Sequence, residues 1–121
     1  MEAAARGAKD GGGITVGILP GNRADQANAF IDIPIVTELG NARNAINALT
    51  SHVIIAVHGA YGTLSEIALA LKCGIQVVGL ETWALIPPPG GSVPPIPRAN
   101  SPDEAVAMAF DLLSQPFSAG R

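Results

Sequence analysis

Only one cysteine, Cys73, occurs in the 121 residues. An intramolecular disulfide is therefore impossible. With two histidines to add, the chain also has too few scattered ligands for a structural zinc site, and no metal is expected. Cys73 ends an apolar helical run and reads as a small buried hydrophobe. Aromatic residues make up only 4%, which argues against the stacking platforms that hold single-stranded nucleic acids. Positive charge is also scarce. Seven basic residues face ten acidic ones, for a net charge of −3, and no basic stripe marks a nucleic-acid footprint. No purely apolar run approaches the ~20 residues needed to cross a bilayer, and no signal-peptide pattern opens the chain. A cytoplasmic location is the expectation that follows. What is plentiful is apolar surface: 48% of residues are hydrophobic, enough for a packed core rather than disorder. Fourteen glycines and ten prolines predict many tight loops.

Residues Glu2–Lys9 are rich in alanine and predict a helix, broken at Asp10–Gly13. Ile14–Leu19 is a short apolar, β-branched run and reads as a buried strand. The polar stretch Pro20–Asn28 is a loop. Ile33–Val36 is a second strand candidate, which Pro34 demotes to an edge or irregular strand. Asn41 is placed to cap a helix running to about Thr50. Val53–Val57 (VIIAV) is the strongest strand, and its unbroken apolar character suits a parallel strand covered on both faces. A glycine-containing turn and a helix over about Leu64–Lys72 follow, with Gly74 as its stop. Gln76–Leu80 is another buried strand. The proline-rich stretch Glu81–Pro97 is loop. Ser101, Pro102 and Glu104 mark a helix start with a capping box, and that helix should reach about Ser114. Strands alternating with helices predict an α/β fold with a three-layer parallel sheet, built around Val53–Val57 with Ile14–Leu19 and Gln76–Leu80 as neighbours. The whole chain, 1–121, reads as one domain, with residues 115–121 expected to form a flexible tail.

The main site candidate is the turn His58–Glu66 (HGAYGTLSE). Gly59 and Gly62 would let the backbone turn sharply and approach a ligand. Free N–H groups at the start of a helix from Thr63, together with its dipole, would then face an anion. The spacing is neither the dinucleotide fingerprint nor the Walker A pattern, so anion binding and an ordinary turn both remain open. Glu66 has two readings as well. Thr63-Leu64-Ser65-Glu66 has the form of a capping box, and a carboxylate beside a phosphate would repel it. A functional Glu66 must point elsewhere on the ligand. Arg43, in the first turn of the helix capped by Asn41, opposes the helix dipole unless an anion is bound. It is either a ligand contact or a solvated surface arginine. The loop Leu19–Arg23, with Gly21, follows a buried strand and either lines the site or simply connects. His58 is a possible contact or a plain polar turn residue.

The segments Val16–Gly21 (VGILPG), Leu39–Asn44 (LGNARN) and Tyr61–Lys72 (YGTLSEIALALK), followed by Val77–Leu80, resemble the lysine-decarboxylase-like Rossmann superfamily. That group includes the LONELY GUY phosphoribohydrolases and the molybdenum cofactor carrier proteins. The sequence is most similar to the carrier-like branch, often described as related to DNA-processing protein A. In the phosphoribohydrolases this turn is PGGxGTxxE. Here His58 and Ala60 depart from it, while Gly59, Gly62, Thr63 and Glu66 match. Their Arg-Lys pair on the preceding helix is Arg43 and Asn44 here. The resemblance nominates Gly21, Arg43, Gly59, Ala60, Tyr61, Gly62, Thr63 and Glu66 as ligand or phosphate contacts. Arg43 and Glu66 would be the catalytic pair if the protein is an enzyme.

The resemblance implies binding of a phosphorylated nucleotide-like molecule or a pterin phosphate, with the molybdenum cofactor as a carried ligand. The alternative is hydrolysis of the N-glycosidic bond of a nucleoside 5′-monophosphate, with Glu66 stabilising an oxocarbenium-like sugar. Ala60 and Asn44 weaken the hydrolytic reading. Single-stranded DNA binding finds no support in the acidic balance. The superfamily places a strand, helix and strand ahead of the segment matching Met1–Ala5. The resemblance therefore implies a Rossmann-like sheet lacking its usual first strand–helix–strand. Either the start is assigned too late, or the chain covers its apolar strands by homo-oligomerisation, and the latter is expected.

Overall fold

The computed structural model describes residues 1–115; the expected flexible tail thus falls almost wholly outside the described residues. It has the α/β, Rossmann-like architecture expected, with every strand pair parallel. The chain forms two compact units, Met1–Ile46 and Asn47 onward.

The first unit holds helix α1 (Glu2–Asp10) and a two-stranded sheet of β1 (Val16–Leu19) and β2 (Ile33–Val36). Strand β1 is two residues shorter than the sequence predicts, and a polar lock explains why. The Thr15 N–H donates to Asp32 Oδ2 at 2.9 Å, and the Asp32 N–H returns to Thr15 Oγ1 at 2.9 Å. Thr15 is buried by this exchange, while Ile14 before it is left 78% exposed. The expected placement of this strand beside Val53–Val57 is not the ladder that forms: β1 pairs with β2, Gly17 opposite Pro34. Apolar character marks a strand but does not choose its partner. Pro34 lacks an N–H, and β2 is paired on one side only.

A 3₁₀ turn, Gly40–Arg43, leads into helix α2 (Asn44–Thr50). Asn41 therefore lies inside the 3₁₀ turn and caps nothing. Arg43 ends that turn instead of sitting in the first turn of an α-helix. Leu39 and Gly40 bring about this early start. Gly40 adopts φ +54°, and the Ala42 N–H closes onto Leu39 O at 3.0 Å.

The second unit is the three-layer part of the fold. Strands β3 (Val53–Val57), β4 (Gln76–Leu80) and β5 (Arg98–Ala99) form a sheet in that order. The middle strand is β4 rather than β3, because the short β5, unforeseen behind the proline-rich loop, pairs on its far side. The period-two alternation of the strands sends side chains to opposite faces. Ile54, Ala56 and Val77 pack with Ile67 and Ala70 of helix α3 (Tyr61–Lys72). Val53, Ile55 and Val78 pack with Ala105 and Ala109 of helix α4 (Pro102–Leu113). Burying a side chain as large as Ile67 or Val78 completely stabilises the fold by about 1.5–3 kcal/mol each.

Both helix ends follow from local sequence. Helix α3 ends where Gly74 takes φ +74°. Its N–H reaches Leu71 O at 3.2 Å and the Ile75 N–H reaches Ala70 O at 2.8 Å, a Schellman closure. Cys73 caps this end half-buried, packed on the rim of the core rather than inside it. Ser101 Oγ accepts the Glu104 N–H at 3.1 Å, and the Glu104 carboxylate accepts the Asn100 N–H at 2.9 Å, so α4 starts as its capping signal predicts. Among the described residues no helix is long and apolar enough to cross a membrane.

Candidate functional site

The chain makes its sharpest local turn at the carboxyl end of β3, and the residue that makes it is His58. Its φ is +63°, in the left-handed region that ordinary L-residues occupy at a cost. Neither Gly59 nor Gly62 has a φ in that region, so the expectation that these glycines make the turn is corrected. Proline, fixed near φ −65°, could not take the place of His58 here; the departure from the proline-led turn is one of backbone conformation. Glu81 follows β4 as His58 follows β3, and it too is left-handed, at φ +50°. The register Val57↔Leu80 places them side by side. His58 Nδ1 lies 3.7 Å from Glu81 Oε2, both side chains being largely exposed. Two adjacent non-glycine residues held in this conformation at the carboxyl edge of a parallel sheet are a concentration of strain of the kind found at ligand sites.

Helix α3 begins at Tyr61, two residues before the expected start at Thr63, and Gly62 lies within its first turn. The capping box read from Thr63–Glu66 does not form. Ala60 is the N-cap, with no side-chain cap hydrogen bond and no acidic residue in the first turn. The reason is position: Thr63 is already the third helical residue, so its side chain is past the end it would have to cap. The contrast with α4, whose start is closed by Ser101 and Glu104, is physical. The first-turn N–H groups of a helix have no intrahelical acceptor, and at α3 no side chain of its own sequence neutralises the positive end of the dipole. An ideal Cβ on Gly62 would meet nothing within 4 Å, and one on Gly59 only Trp83 Nε1 at 3.7 Å.

Glu66, released from capping, is half-buried and accepts a hydrogen bond from Asn47 Nδ2 at 2.8 Å. That bond fixes the carboxylate one turn below the helix start. Asn47 was not visible as a partner in the sequence, because the bond joins residues on two different helices.

Two more residues join the turn that sequence reasoning missed. Trp83, in the loop after β4, donates its indole N–H to Ala60 O at 3.2 Å. Its ring stacks with Tyr61, centroids 6.0 Å apart and planes 25° from parallel. Thr82 Oγ1 donates to His58 O. Arg98 of β5 holds the other side of this loop, through Nη1 to Thr82 O at 3.1 Å and Nη2 to Trp83 O at 2.6 Å. The one available signal was that Trp83 is the chain's single tryptophan.

Gly21 and Arg43 belong to the first unit. Gly21 lies in the loop after β1, where its carbonyl accepts the Glu38 N–H at 2.8 Å. Arg43 is not a solvated surface arginine: its Nη1 donates to Ile18 O of β1 at 2.7 Å. Its Nε is buried with no hydrogen-bond partner. Asn44, at the position of the phosphoribohydrolases' lysine, is a buried polar side chain. Among the described residues no three His, Cys, Asp or Glu side chains gather as metal ligands.

Residues 1–106 match the SLOG cluster4 family. An uncharacterised protein of Archaeoglobus fulgidus is 52% identical over 86 residues, 71% of this chain and 56% of that protein. The chain thus spans a little over half the length of this relative. The molybdenum cofactor binding protein of Rippkaea orientalis is similar in structure, with a TM-score of 0.79 and 36% identity over 94% of this chain and 71% of that one. The molybdenum cofactor carrier protein of Chlamydomonas reinhardtii is similar at a TM-score of 0.75 and 38% identity, over 95% and 71%.

Proposed function

The chain belongs to the SLOG cluster4 family, and on that premise we propose that it binds a phosphorylated pterin or nucleotide-like small molecule, as a cytoplasmic carrier of the molybdenum cofactor type. The observation that carries this reading is the start of α3 at the carboxyl end of β3, where the N-cap Ala60 makes no side-chain cap hydrogen bond and no acidic residue stands in the first turn. The likeness to the molybdenum cofactor binding and carrier proteins supports it and supplies the ligand class. The turn from Gly59 to Thr63 would take the phosphate, and Glu66, oriented by Asn47, would accept a hydrogen bond from a hydroxyl or ring N–H. Gly21 and Arg43 enter this reading through the family resemblance alone. The test is calorimetric titration of the 121-residue chain with neopterin monophosphate and with GMP. Saturable binding of at least one is expected; no heat from either up to millimolar ligand would overturn the reading.

A second reading is favoured by one observation, the fixed Glu66 carboxylate. A carboxylate held in one orientation suits stabilisation of an oxocarbenium-like sugar, and so hydrolysis of a nucleoside 5′-monophosphate. Free base released from AMP or GMP, and its loss in Glu66→Gln, would establish that activity. Nucleotide recovered intact would leave the carrier reading in place.

A further inference from the structure

We propose that Tyr61 and Trp83 form a stacking platform for a fused heterocycle, which makes the ligand of this turn a flat-ringed phosphate ester rather than any sugar phosphate. The proposal rests on the phosphate-binding reading of the same turn and deepens it.

Only one tyrosine and one tryptophan occur in the chain, and the fold brings them together at the ends of two neighbouring strands. Tyr61 opens α3 and is 82% exposed. A ring left so open contributes little to the core, and no hydrogen bond compels it to lie where it does. Trp83 is the reverse case. Its body packs against the core around Ile67, its N–H is fastened to Ala60 O, and its carbonyl is fastened by Arg98. A fixed indole thus backs a solvent-facing phenol ring in an offset stack.

Tyr61 is also the first residue of the helix whose N–H groups would take the phosphate, so ring contact and anion contact lie within one residue of each other. A bicyclic ring extending the stack from the open side of Tyr61 would leave its phosphate at the helix start. Tyr61 is the contact residue and Trp83 the positioning residue. Purines and pterins share the required chemistry, a flat, fused, hydrogen-bonding ring.

The experiment titrates the whole chain with four probes: GMP and neopterin monophosphate carry ring and phosphate, neopterin carries the ring alone, and ribose 5-phosphate the phosphate alone. One or both ring-bearing phosphates should bind at least tenfold tighter than ribose 5-phosphate. Tyr61→Ala, at an exposed position, removes the ring but keeps the backbone N–H, and should erase that difference. Trp83→Ala should narrow it, and Trp83→Phe should restore it, which a loss of global stability would not do. Equal affinity for the ring-bearing phosphates and ribose 5-phosphate in the unaltered protein would overturn the platform while the phosphate reading stood. Binding of neopterin as tight as that of its phosphate, with none of ribose 5-phosphate, would keep the platform and overturn the phosphate reading. Binding of no probe would overturn both.

Discussion

Replacing Gly62 by valine separates the fold of the turn from its use. An ideal Cβ at Gly62 has nothing within 4 Å, and the residue is helical rather than left-handed. The valine side chain should therefore be accommodated without strain. Glycine is less favourable than alanine in a helix by about 1 kcal/mol, and ordinary residues by up to about 0.7, so the variant should gain a few tenths of a kcal/mol or change little. For a chain of this size that is a melting shift of about 2 °C or less. Binding should respond in the opposite way. A β-branched side chain on the first turn of α3 fills the space a phosphate needs to reach the backbone N–H groups. Losing one charge-assisted hydrogen bond costs about 1.5–3 kcal/mol, or roughly 10- to 150-fold in Kd. Circular dichroism melting and calorimetry with neopterin monophosphate, on the same preparation, read both quantities. A variant that melts as the parent does and binds with unchanged affinity would refute the assignment of the phosphate to this turn. A variant that no longer folds would refute the account of the turn's backbone.

Ile67→Ala removes the larger part of a side chain that is 0% exposed and should cost about 2–5 kcal/mol, read as a lower urea midpoint; an unchanged midpoint would show that α3 does not hold the sheet. The Asp32 carboxyl is held below the usual carboxylate range, first by the Thr15 backbone N–H and then by Lys9. Its folded pKa is thus lower than its unfolded one, so its contribution is complete above about pH 4 and is lost as pH falls through that value towards the folded pKa. Asp32→Asn should flatten the acid limb of stability for the β1–β2 unit, and identical acid unfolding profiles would count against the Thr15–Asp32 lock. Arg43→Ala frees the Ile18 carbonyl and should speed amide exchange in the β1–β2 ladder; unchanged protection there would mean that the 2.7 Å bond does not support β1. Val16, Ile33, Ile35 and Val36 are each between 42% and 50% exposed, and this apolar ladder is expected to drive self-association. Light scattering should find a mass above 12.3 kDa, and a monomer at low micromolar concentration would contradict it.

Local sequence by itself determined the elements whose cause is local. The apolar runs VIIAV and VVGL are strands packed by a helix on each face, Gly74 stops α3, Ser101 starts α4, and Pro34 lies on a strand paired on one side only. Each follows from a preference of a few neighbouring residues, which no distant contact needs to supply. Tertiary structure decided what depends on partners. The ladder of β1 with β2 was not legible, because apolar strands are interchangeable until loops and packing choose among them. Thr63–Glu66 has the letters of a capping box, but the helix starts at Tyr61, with Ala60 tied to Trp83, and Glu66 turns to Asn47 instead. Scarcity of aromatics argued against a stacking platform, yet a count cannot say where two rings meet. Only the parallel register of β3 with β4, which sets the ends of the two strands side by side, brings Tyr61 and Trp83 to one edge.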